Sequence, residues 1–135
     1  MIPDRYSSIA YTLFRIVFGF LFCCHGLQKL IGLFGGLDGH GATPPLASRL
    51  GAAAVLETVL GLMVMCGCCT RAAAILACGE MAAAYFTAHQ PRGLWPIQNG
   101  GELAVLYCFA FLSMAARGAG KWSVDAMRRG GTGRP

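Results

Sequence analysis

Four apolar stretches, at about residues 9–30, 47–69, 72–89 and 96–116, constrain this chain more than any other feature. Each has roughly the 20 residues that an α-helix needs to cross ~30 Å of hydrocarbon. The competing architecture is a soluble four-helix bundle, which confines apolar residues to one stripe per helix and leaves a polar outer face. Segments such as GAAAVLETVLGLMVMCGCC have no polar face. Composition agrees, because only 13% of the residues are charged where soluble domains have about a quarter. The expectation is an all-α fold: one integral membrane domain over residues 1–127, built as an antiparallel four-helix bundle. A basic, glycine-rich and disordered tail over 128–135 is expected to follow it. The first stretch contains Arg15, is longer than a signal-peptide core and lacks a small-residue cleavage site, so it reads as a retained helix.

Basic residues orient such a bundle, since cytoplasmic loops carry the excess of Lys and Arg. Arg5, Arg71, Arg117, Lys121, Arg128, Arg129 and Arg134 fall on one side, against Lys29, Arg49 and Arg92 on the other. Both termini are therefore expected in the cytoplasm, in a multi-pass protein of a bacterial inner membrane. The net charge of +5 follows from that orientation and from anionic headgroups. No basic patch interleaves with aromatics, so nucleic acid is not an expected partner. The turn CTRAA is too short for anything but antiparallel neighbours, whereas GLFGGLDGHGATPP and HQPRGLWPIQNGGE are longer, shaped loops on the outer side.

Ionisable groups inside spans are costly, and they face the bundle, pair or lose their charge. Here they are Arg15, His25, Lys29, Glu57, Glu80, His89 and Glu102. At ~1.5 Å per residue, His25, Lys29, His89, Asn99 and Glu102 lie near the outer boundary. Glu57 and Glu80 lie near mid-depth, and Arg15 lies in the inner third. On the helix wheel, Arg15, Gly19, Phe22, Gly26 and Lys29 form one stripe of the first helix, with His25 beside it. Glu57, Gly61, Val64 and Cys68 form the matching stripe of the second helix. This predicts Glu57 and Glu102 compensating Arg15 or Lys29, with Arg15 and Glu57 as a buried charge pair. His25, Lys29, Glu57, His89, Asn99 and Glu102 are the candidates for ligand binding or a proton relay. Glu80 is a secondary candidate, because nine residues separate it from His89 and an ideal helix points the two in opposite directions. Pairs of this kind can equally serve only to set helix register, and both readings stay open here.

The chain has seven cysteines. Cys23 and Cys24 lie most of a membrane away from Cys66, Cys68 and Cys69, too far for a disulfide. Cys66 and Cys69 have C-x-x-C spacing but end a helix rather than open one, so a packing role is expected for them. No zinc or haem motif is present. His25, His89 and Glu102 form a metal set only if they converge, and no metal site is expected.

The run LFRIVFGFLFCCHGLQKLIGLFGG, then LETVLGLMVMCGCCTRAAA, EMAAAYFTAH and NGGELAVLYCFAFLSMAARGAGKWSVD, resembles the DoxX family of small bacterial membrane proteins. The residues that carry the likeness begin with Arg15, Gly19, His25, Gly26, Lys29 and Gly32. They continue with Glu57, Gly61, Gly67, Thr70 and Arg71, then His89, Asn99, Gly100 and Glu102. Gly118, Gly120, Ser123 and Asp125 close the pattern, which excludes Glu80 and the cysteines. The resemblance implies a four-helix inner-membrane protein and a non-catalytic membrane subunit of a redox system rather than a stand-alone enzyme. It implies docking of a soluble oxidoreductase, or of other redox-complex subunits, and a quinone or small sulfur species as ligand. A proton-coupled or small-molecule carrier and a purely structural scaffold are the alternatives. The oligomeric state is open.

Overall fold

A computed structural model of the chain describes residues 4–131. Helix α1 spans Asp4–Ile31, α2 Arg49–Cys66, α3 Thr70–Ala84, α4 Pro96–Asn99, α5 Glu102–Arg117 and α6 Val124–Gly131. Among the described residues the fold is all-helical, with a single isolated bridge between Gly36 and Ala42 in the first long loop. Two helices, α1 and α2, are long and apolar enough to cross a membrane. The third and fourth apolar stretches depart from single straight helices. α3 passes into a π turn at Tyr85–His89 and a 3-10 turn at Gln90–Arg92. The fourth is broken at Gly100, which adopts the left-handed φ of 72° and separates the one-turn α4 from α5.

α1 packs chiefly on α2, and α3 on α5. The first pair is close because glycines line it, as the shared stripes predict. A Cβ on Gly19 would stand 2.5 Å from the Met65 nitrogen, and one on Gly26 would stand 2.3 Å from the Thr58 nitrogen. Small residues that let backbones approach are the usual packing device where lipid removes any hydrophobic drive between helices. The two pairs are joined by rings: Phe22 packs on Tyr107 and Phe111 with centroids 5.3 and 4.7 Å away, and Phe18 packs on Tyr107. Outside this core, Phe20, Leu62, Leu76, Phe109 and other large apolar side chains are exposed. This is the inverse of a soluble surface.

At the end of the bundle where α2 turns into α3, buried polar groups form a latch. Arg15 is 1% exposed, and it donates to the carbonyls of Val64, Met65 and Trp122, each at 2.6 Å. It thus satisfies carbonyls that a helix C-terminus leaves without partners. Gly67, at φ 71°, closes α2, and no larger residue fits there: a Cβ would stand 2.3 Å from the Ser123 Cβ. The Asp125 carboxylate accepts the N–H groups of Cys69 and Thr70 at 2.8 and 2.9 Å and so caps α3 from a distance in sequence. Arg71 Nη1 donates to the carbonyls of Ala115 and Ala116 at the end of α5, and the Tyr11 hydroxyl donates to the Gly118 carbonyl. Residues 128–131 of the tail are helical, as the end of α6, where disorder was expected from their glycine and arginine content; the remainder of the tail lies outside the described residues.

The opposite end carries the long loops. Asp38 organises the first by accepting the N–H groups of Ala42 and His40, which hold its carboxyl below the usual carboxylate range. Gln28 reaches the same loop through the Gly36 carbonyl at 3.0 Å.

Candidate functional site

The loop end of the bundle encloses a cavity of about 180 Å³. Lys29 stands on its α1 wall, four residues and so roughly one turn beyond His25. Glu57 enters from α2, His89 from the π turn, and Phe22, Met81 and Tyr107 supply apolar surface. Four of the six first-rank candidates, His25, Lys29, Glu57 and His89, therefore converge on one space from three helical segments.

The Lys29 ammonium binds both oxygens of Glu57, at 2.6 Å from Oε2 and in direct contact with Oε1. The Glu57 side chain is 4% exposed and that of Lys29 is 18% exposed. A carboxylate this buried needs such a partner, because desolvating a single charge costs several kcal/mol or more. The remaining exposure of Lys29 leaves its head at the cavity rather than sealed behind it. The His25 ring meets Tyr107 edge-on at 6.0 Å between centroids, so aromatic packing fixes the imidazole at the cavity wall.

Two expectations are corrected. Arg15 and Glu57 do not pair: Glu57 is taken by Lys29, and Arg15 is spent on backbone carbonyls in the latch. The two lie on matching stripes, but Arg15 and Lys29 are fourteen residues apart, about 21 Å of helix, and Glu57 sits at the Lys29 end. Glu102 does not face the interior. The break at Gly100 rotates α5 away from α4, leaving Glu102 exposed at the first turn of α5. There its charge suits the positive end of the helix dipole. The set His25, His89 and Glu102 accordingly does not converge.

Asn99 is buried at 3% exposure, yet its side chain serves the backbone. Its Nδ2 donates to the Gly93 carbonyl at 2.9 Å, and its Oδ1 accepts the Gly101 N–H at 2.8 Å. The His89 Nδ1 lies 3.3 Å from the Asn99 carbonyl oxygen. Asn99 thus positions His89 and the loop and does not line the cavity. Glu80 and His89 both turn inward, because the wider π turn lowers the rotation per residue and brings the two closer in phase than an ideal α-helix would. Both Glu80 carboxyl oxygens are buried without a hydrogen-bond partner, within electrostatic reach of Glu57 and Lys29. At the other end of the molecule, donor atoms of Cys68, Cys69 and Asp125 lie within 4.8 Å of one another.

Tyr107 and the latch are what the sequence reading missed. Tyr107 is the one tyrosine of the fourth apolar stretch, and that hydroxyl-bearing ring was the available signal. The latch residues Gly67, Thr70, Arg71, Gly118, Ser123 and Asp125 belonged to the motif, but no spacing rule joins residue 67 to residue 123.

Apolar helices that leave large side chains exposed, closed around a small charged cavity, define a helical membrane protein. The chain belongs to the DoxX family, whose model, described as DoxX, matches residues 10–90. It is also similar to a protein of Haemophilus influenzae strain Rd described as uncharacterized, at 36% identity over 129 residues covering 90% of this chain and 92% of that one. No solved structure matches the chain.

Proposed function

We propose that this protein is a multi-pass subunit of the bacterial inner membrane that serves a redox system and binds a quinone ring in the loop-end cavity. In this reading the chain crosses four times with both termini in the cytoplasm, and the cavity opens outward. The observation that carries the proposal is the convergence of His25, Lys29, Glu57 and His89 with the aromatic walls Phe22 and Tyr107. The space equals about six water volumes at roughly 30 Å³ each, enough for a six-membered ring.

A quinone fits these donors. Its faces suit Phe22 and Tyr107, and its two carbonyl oxygens suit cationic or N–H groups such as Lys29 and the imidazoles. When bound, a quinone supplies reversible two-electron, two-proton chemistry. The chain's own contribution is to orient the ring between the aromatic walls and to set its carbonyl oxygens against the N–H groups of the cavity. Electrons belong to a partner, a soluble oxidoreductase docked at the membrane, which makes this protein a subunit and not a stand-alone enzyme.

The test is titration of the protein in lipid nanodiscs with ubiquinone-1, read by calorimetry. The expected result is saturable binding that weakens at least roughly tenfold in Lys29→Met or His25→Leu, one lost charge-assisted contact being worth about 1.5–3 kcal/mol. Arg49→Gln is expected to leave it unchanged. Absence of saturable binding, or equal affinity in the cavity variants, overturns the reading. The carrier alternative draws on the partnerless Glu80 carboxyl beside the cavity. It requires solute or proton flux in proteoliposomes, which a quinone site does not.

A further inference from the structure

The latch end of the molecule carries a second feature that the quinone reading does not use. A cavity of about 390 Å³ opens between α1, the end of α5 and α6, lined by Arg71, Arg117, Lys121 and Arg129 with Ser8 and Tyr11. No carboxylate lines it among the described residues. A neighbouring cavity of about 460 Å³ shares Arg71 and Arg129 and adds Arg128. Its one acid, Asp125, has both oxygens committed to the N–H groups that open α3.

Two of the cations, Arg71 and Arg117, are held in place. The Nη1 of Arg71 is fixed by two carbonyls, 2.9 and 2.8 Å away. Gly118 packs beside that guanidinium, where a Cβ would stand 3.3 Å from Nε and 3.4 Å from Nη2. Arg117 lies over the Tyr11 ring at 4.3 Å from its centroid. An exposed planar guanidinium held through Nη1 suits the oxygens of a phosphate. Next in sequence to the lining residues Lys121 and Ala126, Trp122 is 65% and Met127 70% exposed, and Tyr6 on α1 is 58% exposed. Exposed aromatic rings beside basic groups are typical of the headgroup level.

We propose that this basic cavity binds the phosphodiester headgroup of an anionic phospholipid, with the acyl chains against the exposed apolar side chains of α1 and α5. Those exposed apolar faces favour a lipid over a free phosphate, because a soluble anion has nothing to bury there. Binding at this place joins α1, α5 and α6 through one ligand and so reinforces the latch.

Native mass spectrometry of the detergent-solubilised protein with dioleoylphosphatidylglycerol against dioleoylphosphatidylcholine tests this. The two lipids share their chains and their phosphodiester and differ in headgroup charge. Wild type is expected to retain the anionic lipid roughly tenfold more strongly. The double variant Lys121→Gln/Arg129→Gln loses that preference, while Arg49→Gln/Arg92→Gln, which removes the same charge at the other end, keeps it. Thermal melting followed by circular dichroism checks that the variants fold; should the double variant not fold, Lys121→Gln alone is expected to lower the preference about threefold. Three results each overturn the proposal: an unchanged preference in the cavity variants, an equal loss in the distal control, or displacement of the lipid by millimolar glycerol 3-phosphate. The last would mark a site for a soluble phosphate.

Discussion

Lys29 shows how much rests on one side chain in this protein. It provides the counter-charge that lets Glu57 stay buried, and it presents the same charge to the cavity. Removing one member of such a pair leaves an uncompensated charge, which costs about 3–5 kcal/mol, whereas replacing both by apolar groups is often neutral. Lys29→Met and Glu57→Leu are therefore each expected to be strongly destabilising, and the double variant is expected to be more stable than either. Thermal unfolding of all four proteins in one detergent measures this, and additive losses would show that the pair is not coupled. The pairing was half legible in the sequence. The stripes offered Glu57 either Lys29 or Arg15, and the buried pair expected from them, Arg15 with Glu57, is not the one that forms. A helical wheel reports angle and not height, and height decided the partner.

At the scale of elements, the two halves of the bundle are built by different means. α1 and α2 meet through glycines spaced along one stripe, a pattern that can be read directly from sequence. α3 begins where α2 ends, and its first N–H groups are capped by Asp125 from α6. Burial raises the affinity of that carboxyl for protons, but the N–H groups of Thr70 and Cys69 outweigh it and leave the carboxyl below its ordinary value of 3.8. A depressed folded-state value means that the stabilisation is fully present above the unfolded value. It is lost as the pH falls through the still lower folded value. The latch is thus expected to be intact at neutral pH and to weaken only in strong acid, below about pH 4. Asp125→Ala is expected to lower stability at pH 7 by about 0.5–2 kcal/mol, as loss of a helix cap does, and to flatten the acid limb. Melting temperatures of both proteins between pH 3 and 7 check it. Where elements break, the sequence was less informative. Gly100 falls in the polar run QNGGE, where the outer loop and the fourth apolar stretch overlap, and the π turn changes the backbone rotation, which hydropathy does not register.

Taken whole, the molecule has two polar ends with different tasks, separated by an apolar middle. One end closes the chain on itself through carbonyls, caps and a glycine that admits no side chain. The other leaves a charged cavity open. The four-pass orientation proposed above predicts that a carboxy-terminal green fluorescent protein fusion fluoresces in cells and that an alkaline phosphatase fusion at the same point stays inactive. The reverse pattern would place the cavity on the cytoplasmic side. Residue types and their order alone determined that the chain is helical, that it belongs in a membrane, and that Arg15 and Glu57 have to be buried. Those properties follow from hydrophobic run length and from the cost of charge in lipid, both local to the chain. Only the tertiary structure decided which buried groups meet, that Glu102 turns outward, and that Arg15 and Asp125 close the latch. These depend on helix height, on backbone breaks and on contacts between residues more than fifty positions apart, where hydrogen-bond geometry leaves no periodic trace in the sequence.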